Sequence, residues 1–485
     1  MSESQPNAVA LRLFKTDIMQ KTVFILSFIT LFIFLNTAEA QRRTTYQSLL
    51  QRSDQPSSYI DQAVLPVSDS TAAALVFFRL DYDFVPFLRT RGNMEMPFED
   101  AEYFAPVRMG IEFFEGNVSE SGRPSRNSVS VYRDFWSDTV WVSSFEQTKS
   151  RFDHVEGLLW TQLNNGSYHY ELQLGRGDSN RDLPSRRRNL NVPVQSESQK
   201  GSLILASETS NESDHFAGTF LNYGNNILYG EDFDLLIHFP GTADSLASEY
   251  TLQVLKRLPG DSEETEETPV FESTVTGDDI FYAVFDTTNY EGQNQINFAL
   301  RKTDPDDGFA FASVRIPNSE FENAGYRIRI LESESEETIA QRDVLSRWIN
   351  MPVSLYNLDV AIEQLSYIVD EERLRSINSG SRAERERKFR EFWEQRDPTP
   401  DTEFNELMTE YYRRIDYAYR NFSSIQTPGY ETDQGRAYIL FGPPDNIERR
   451  FPTDGPAREV WTYPNRTLIF EATSGFGDFR LISES

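Results

Sequence analysis

The sequence GYETDQGRAYILFGPPD occupies residues 429–445 and is rich in glycine and proline. These two residue types allow backbone conformations that other residues adopt only at a cost, so the stretch indicates shaped turns and not a generic linker. We predict a turn over residues 429–436, a short strand at Ala437–Phe441 and a rigid turn at Gly442–Pro444. A strand held between two shaped turns is typical of a compact folded domain.

The length and charge of the chain limit its fold class and its partners. With 485 residues the chain is too long for one ordinary core, and its length favours about three domains. It carries 76 acidic and 47 basic residues, a formal net charge of -29, so the phosphate backbone of a nucleic acid would be repelled. Aromatic residues make up 13% of the chain, which indicates folded cores and argues against disorder.

The N-terminal segment has the pattern of an export signal. An apolar run at Val23–Leu35 is short for a bilayer span of roughly twenty residues but typical of a signal peptide. Ala38–Ala40 supplies a cleavage site of the A-x-A type, and Met19 is an alternative translation start. We therefore predict a signal peptide over residues 1–40 and no stable membrane span after cleavage at Gln41. An uncleaved membrane anchor is the alternative.

Cysteine is absent from the sequence. This excludes disulfides, thiolate metal sites, cysteine nucleophiles and a lipid-modified cysteine. An exported protein without disulfides is more typical of a bacterial envelope than of small eukaryotic secreted modules. We expect the protein in the periplasm or outside the cell, including association with the outer membrane.

Hydrophobic periodicity divides the remainder of the chain into a β-rich part and a mixed part. Residues 41–70 are polar and are expected to form a mobile leader or a loosely docked arm. Apolar residues then alternate with polar ones, beginning with Val76–Phe84 as a strand with one buried face. Short strands without helical runs between them favour two tandem β-sandwiches of the immunoglobulin-like class, at residues 71–195 and 200–347.

The region 352–485 is expected to be an α+β domain with helices on a small antiparallel sheet. A helical period runs through Leu355–Val369, and a second helix is predicted at Arg382–Arg396. Thr399 is expected to cap the next helix, with Pro400 in its first turn. The final segment returns to strand patterns at Val460–Tyr463, Leu468–Phe470 and Phe479–Ile482.

The C-terminal part of the chain resembles the bacterial family of GWxTD-domain proteins. The signature corresponds to Gly429-Tyr430-Glu431-Thr432-Asp433, with Tyr430 in the place of the usual Trp. Other matching features surround it: Arg396–Pro400, Tyr411–Arg414, Gly435-Arg436, Gly442–Glu448 and Glu459–Tyr463. The resemblance implies an exported protein, mostly found in Bacteroidota and related bacteria, and implies no particular activity.

Four charged residues of the signature region are candidates for a functional site. Asp433 and Arg436 precede the expected strand, and Asp445 and Glu448 follow the Gly-Pro-Pro turn. A pair of these carboxylates could perform acid-base or glycosidic chemistry if it were held at the right separation. The alternative is structural: Thr432 and Asp433 bond backbone amides, Arg436 pairs with a carboxylate, and the aromatic residues fill the core. The motif residues in either case are Gly429, Tyr430, Thr432, Asp433, Gly435, Arg436, Gly442, Pro443, Pro444, Asp445 and Trp461.

Other catalytic and metal-binding patterns are weak, and no metal or cofactor is expected. The histidines His154, His169, His215 and His238 form no close pair in sequence, and His169 and His238 are expected to face solvent. No G-x-S-x-G elbow and no phosphate-binding G-x-x-x-x-G-K loop occurs. Asp178, Asn180 and Asp182 imitate the start of a calcium loop, but Leu183 stands where glycine is required.

The sequence thus favours a non-enzymatic envelope protein that docks an unidentified envelope protein through its C-terminal domain. One alternative is a hydrolase of glycans or peptides that uses Asp433, Asp445 or Glu448. Another is a carbohydrate-binding module that uses exposed aromatic residues.

Overall fold

The computed structural model describes residues 45–50, 56–91, 94–98, 100–119, 128–145, 147–150, 153–176, 183–257, 269–289, 296–349, 351–400, 402, 404–424, 427–451, 455–473 and 479–485. The expected signal peptide and the calcium-like positions 178, 180 and 182 lie outside this range. The described chain is mostly β-sheet, with a β-rich N-terminal part and helices in the C-terminal region. In the described residues, no helix is both long and apolar enough to cross a membrane.

The first set of strands forms two sheets. Its members are β1 Ser58–Ser68, β2 Thr71–Asp81, β3 Leu88–Arg89, β4 Tyr103–Glu115, β5 Ser130–Val142, β6 His154–Asn164, β7 Gly166–Arg176, β8 Leu183–Pro184 and β9 Arg188–Val192. β2 lies between β1 and β6 in a three-stranded antiparallel sheet. The others form a six-stranded sheet around β4 and β7.

The second set follows as a closed sheet and an open one. Its strands are β10 Ser202–Asn211, β11 His215–Phe220, β12 Asn226–Leu228, β13 Phe233–His238, β14 Glu249–Arg257, β15 Pro269–Thr276, β16 Phe281–Phe285, β17 Asn297–Lys302, β18 Phe309–Ile316, β19 Gly325–Glu332 and β20 Thr338–Arg347. Six of them close a barrel in the order β10-β11-β17-β16-β18-β13, and five form a sheet in the order β12-β20-β19-β14-β15. The barrel strands β10, β13 and β18 share a core with the open sheet.

Strand β2 is buried on both faces. One face, including Val76 and Phe78, packs against the six-stranded sheet. The other face, including Leu75 and Phe77, packs on the barrel, where the Phe77 ring stacks on Phe220 at 4.5 Å. The expectation of one buried face was therefore wrong, because a second sheet covers the side that was assigned to solvent. This second core joins residues from both sides of the boundary expected at residues 195–200.

The expectation of a mobile leader is wrong for residues 58–68, which form β1. Leu65 is fully buried in this strand. Its polar residues have partners: Asp61 forms an ion pair with Arg342, and the Gln62 side chain donates to the carbonyl of Asn189. Hydrophobic periodicity does not predict this strand, because its polar side chains are paired with residues from distant parts of the chain.

The described residues group into two compact units. One contains residues 45–50 and 353–379, with the helices α1 Tyr46–Leu50, α2 Leu358–Gln364 and α3 Glu371–Ile377. The other contains all strands and the remaining helices, which are α4 Arg382–Glu394, α5 Glu406–Phe422 and α6 Asp433–Phe441.

The C-terminal strands form a four-stranded antiparallel sheet. They are β21 Asn446–Arg450, β22 Arg458–Tyr463, β23 Arg466–Ala472 and β24 Phe479–Glu484, paired in chain order. Trp461 of β22 is fully buried and contacts the rings of Phe422 and Phe470 at 5.4 and 4.8 Å. Because Phe422 belongs to α5, this aromatic cluster fixes the helix on the sheet.

Two local predictions in this region were wrong. The cap of α5 is Asn405, whose side chain accepts from the amide of Met408 at 2.7 Å, while Thr399 lies in the preceding turn. Ala437–Phe441 is not a strand but the last part of helix α6. Its short apolar run fits either structure, and the cap at Thr432 favours the helix.

Candidate functional site

The signature begins with a 3-10 helix at Gly429–Glu431, which leads directly into α6. Thr432 caps the helix: its hydroxyl accepts from the amide of Gly435 at 3.0 Å and donates to the carbonyl of Gly429 at 2.7 Å. A single side chain thus connects both glycines and fixes the angle between the turn and the helix.

Both glycines are required by close packing. A Cβ atom on Gly435 would lie 1.8 Å from the carbonyl oxygen of Gly429. A Cβ atom on Gly429 would lie 1.9 Å from the carbonyl oxygen of Ala418 in α5. The two glycines let the signature turn approach α5 more closely than any other residue would permit.

The aromatic residue of the signature packs against the same helix. The half-buried ring of Tyr430 stacks on Tyr419 of α5, with centroids 6.0 Å apart and an angle of 25° between the planes. Tyr430 therefore supplies an aromatic surface in the position where the family signature has tryptophan. This contact, together with the buried Trp461, agrees with the structural interpretation of the motif.

Glu459 is the centre of a buried polar network that the sequence analysis did not single out. This carboxylate on β22 is 7% exposed. Its oxygens accept from Gln434 Nε2 at 2.8 Å, Trp461 Nε1 at 3.1 Å and Arg449 Nε at 2.9 Å. The network links α6, β22 and β21 through one charged group. The only signal in the sequence is an acidic residue beside the apolar run of β22.

The Gly-Pro-Pro turn ends α6 and returns the chain to the sheet. Gly442 has a φ of +78°, and its amide donates to the carbonyl of Tyr438 at 2.8 Å. Its own carbonyl accepts from the hydroxyl of Tyr463 at 3.1 Å. Pro443 is exposed and Pro444 half-buried, and the following amide of Asp445 donates to the carbonyl of Thr462 at 2.8 Å.

The comparison with known protein families matches residues 350–477 to the GWxTD domain. The chain carries a GWxTD domain. The matched residues include helices α2 to α6 and strands β21 to β23. It confirms the family that the sequence resembles. No curated protein sequence matches the chain.

Within the GWxTD domain, two of the candidate carboxylates have structural partners. Asp433 accepts from the amide of Leu481 on β24 at 2.9 Å. Glu448 accepts two hydrogen bonds from Arg450, at 2.9 and 2.8 Å, on the exposed strand β21. The hydrogen bonds and charge of Arg450 lower the pKa of the Glu448 carboxyl, which opposes a role as a general acid. The side chains of Arg436 and Asp445 are exposed.

These contacts place Asp433 and Glu448 at opposite edges of the four-stranded sheet. Asp433 bonds to β24 and Glu448 belongs to β21, with β22 and β23 between them. Three strand spacings amount to roughly 14 Å. Paired carboxylates in glycosidases are separated by about 5 to 10 Å. The sheet therefore holds these two groups too far apart to act together on one bond.

The four histidines lie outside the GWxTD domain. In the described part of the chain, no group of three or more His, Asp or Glu side chains could hold a metal ion. His169 and His238 are buried, so the expectation that they face solvent was wrong. His169 packs under the ring of Phe114 and its Nδ1 donates to the carbonyl of Gly116. His238 lies on β13, which is covered on both faces by separate cores.

Proposed function

We propose that this protein is a non-enzymatic exported envelope protein whose GWxTD domain docks an extended strand of a partner protein on the edge of β21. The observation that carries the proposal is the open edge of this strand. Among the described residues β21 pairs with β22 alone, and all five of its residues are exposed. An open edge presents unpaired main-chain donors and acceptors, which a strand from another protein can complete.

Apolar side chains accompany this edge. Ile447 is 47% exposed, and Phe451, directly after the strand, is 78% exposed. Ile447 lies opposite Trp461 in the sheet register, so it extends the domain core to the surface. A partner strand would cover these two side chains while its backbone pairs with β21. Main-chain hydrogen bonds would then provide affinity, and the apolar anchors would provide specificity.

The edge is held in place and protected from indiscriminate pairing. Arg449 is tied to the buried carboxylate of Glu459, which fixes β21 against β22. The charged side chains of Glu448, Arg449 and Arg450 discourage association with unrelated strands, as charges do on natural edge strands. An edge that is rigid and charged but flanked by apolar anchors suits a selective partner.

The signature itself supports binding over catalysis. Thr432 and Asp433 are engaged in backbone hydrogen bonds, and Glu448 is paired with Arg450. In this proposal the β-rich part, with its open sheets and closed barrel, acts as a spacer or a binding module. Export agrees with the sequence pattern of residues 1–40.

A pull-down with paired variants tests the proposal. The mature chain is used as bait in an envelope extract, either unchanged, as Ile447→Ser with Phe451→Ser, or as Leu407→Ser. Leu407 is 45% exposed on α5 and serves as the matched control. We expect a discrete partner that the unchanged bait and the control retain and the double variant loses. Equal capture by all three baits, or hydrolysis of envelope glycans or peptides that disappears in Asp433→Asn, Asp445→Asn and Glu448→Gln variants, would overturn it.

A further inference from the structure

A cavity of about 270 Å³ lies far from the GWxTD signature, between the sheet of β1, β2 and β6 and the barrel. Its volume is just below the range of about 300 to 1,000 Å³ that is typical of drug-sized ligands, so it suits a small molecule. Polar side chains from both sheets reach it. They include Arg79, His154, Glu156, Ser207, Asn222 and Tyr223.

One of the residues that line the cavity, Asn222, is buried and has only part of its side-chain amide hydrogen-bonded within the described residues. Asn222 is 2% exposed, and its amide nitrogen donates to the carbonyl of Phe78 at 2.7 Å. Its Oδ1 atom is buried and has no hydrogen-bond partner among the described residues. A buried acceptor without a partner is unfavourable, so this atom of a cavity-lining residue indicates a place for a donor from a ligand.

The charged groups of the wall have partners within the protein. Arg79 Nε lies 3.5 Å from Asp81 Oδ1, and the Arg79 Nη1 donates to the hydroxyl of Tyr223 at 2.9 Å. His154 Nε2 lies 3.6 Å from Glu156 Oε2. Burial would raise the pKa of Glu156, but its hydrogen bond and attraction to His154, with Asn222 and Arg79, lower it, so the carboxylate remains ionised and a good acceptor. Two further carboxylates line the cavity. Asp232 accepts from the amide and the hydroxyl of Ser319 and lies 4.0 Å from Arg315 Nε, and the charge of Arg413 acts on the exposed Glu231.

Donors and acceptors therefore face the same space, and the charged groups among them already have partners in the protein. The hydroxyl of Tyr223 and the guanidinium of Arg79 can donate, while Glu156 and the Oδ1 atom of Asn222 accept. The rings of Phe220 and Phe233 supply an apolar wall. Hydroxyl groups donate and accept at once, and a sugar ring combines several of them with an apolar face.

We infer that this cavity is a binding site for a neutral, hydroxyl-rich ligand of the size of one sugar ring. The site is independent of the edge strand β21, so it would give the protein a second binding function. It draws on side chains from both β-rich segments, which explains why the sequence alone did not reveal it. Binding would supply the donor that Asn222 lacks.

Ligand-observed NMR with glucose, galactose, mannose and N-acetylglucosamine tests this inference at ~20 mM, a concentration that occupies even a site with a dissociation constant of about 1 mM. L-Serine is included as a zwitterionic probe that is smaller than the sugars and also carries a hydroxyl group. We expect saturation transfer from the full mature chain to at least one sugar and none to serine. Absence of a signal for all four sugars, or a signal for serine alone, would contradict the inference.

Two variants and a matched control locate the site. Ser207→Leu fills the cavity and is expected to abolish binding, and Glu156→Gln is expected to weaken it by about tenfold, since it removes a charged hydrogen-bond acceptor. Glu171→Gln removes a comparable paired carboxylate outside the cavity, where Glu171 contacts Arg187, and is expected to have no effect. Thermal unfolding verifies that each variant is folded. Equal binding by Glu156→Gln and the unchanged protein would show that the sugar binds elsewhere.

Discussion

The side-chain amide of Gln434 donates to Oε2 of Glu459 at 2.8 Å, which ties the first turn of α6 to strand β22. The same carboxylate accepts from Trp461 and Arg449. Signature helix, buried tryptophan and edge strand are thus connected through one acid. The relationship makes the GWxTD signature part of the framework that holds β21 in place.

Replacing this acid should destabilise the GWxTD domain strongly. Glu459→Leu leaves the donors of Gln434, Trp461 and Arg449 without their acceptor in a buried site. We expect a loss of about 2 to 4 kcal/mol in the free energy of unfolding. Chemical denaturation measures it, with Glu448→Gln as the exposed control, for which we expect a change within about 0.5 kcal/mol. Similar effects of the two substitutions would show that the network does not stabilise the domain.

A methyl group at Gly435 should disrupt the signature turn. Gly435→Ala would place Cβ 1.8 Å from the carbonyl oxygen of Gly429, a contact that only a shift of backbone can relieve. We expect a loss of about 3 kcal/mol or more. Gly277→Ala is the control, because its Cβ would meet no atom within 4 Å. If both variants melt at the temperature of the unchanged protein, the close approach is not a structural requirement.

The buried imidazole of His238 should make folding sensitive to mild acid. Burial lowers its pKa from 6.5 to about 4. The unfolded chain therefore takes up a proton below pH 6.5 while the folded protein resists protonation until about pH 4. Above pH 6.5 the imidazole is neutral in both states and stability does not depend on it. As the pH falls from 6.5 to about 4, the free energy of unfolding decreases by about 3 kcal/mol in total.

His238→Leu should remove this dependence. The free energy of unfolding, measured by denaturant titration between pH 7 and pH 4.5, is expected to fall less steeply in the variant than in the unchanged protein. Identical slopes would mean that His238 does not titrate differently in the two states.

Much of the β-rich architecture could be predicted from alternation. The strand predicted from Val76 overlaps β2, and the charged helix predicted from Arg382 is α4. β1 was missed because its polar residues Asp61 and Gln62 are satisfied by tertiary partners. Periodicity reports which side chains are apolar, and it does not report which polar side chains have found a partner across the fold.

The candidate site was identified in part. The structural alternative had Thr432 and Asp433 bond backbone amides within a turn. Thr432 does so with Gly435, whereas Asp433 bonds the amide of Leu481 on β24. It assigned Ala437–Phe441 to a strand, because five residues are too few to distinguish the two periods. Gln434 and the cavity around Asn222 could not be anticipated, since their partners come from distant segments of the chain.

Site-specific photo-crosslinking in the living cell shows whether a partner protein lies on the edge of β21. A photoreactive phenylalanine analogue is placed at Phe451, at Ile447 or, as the control, at Leu407, and each site is exposed on the surface of the GWxTD domain. We expect one discrete adduct with the same partner protein from positions 451 and 447, and none from position 407. No adduct at 451 and 447, or the same adduct from all three positions, would contradict docking on the edge of β21.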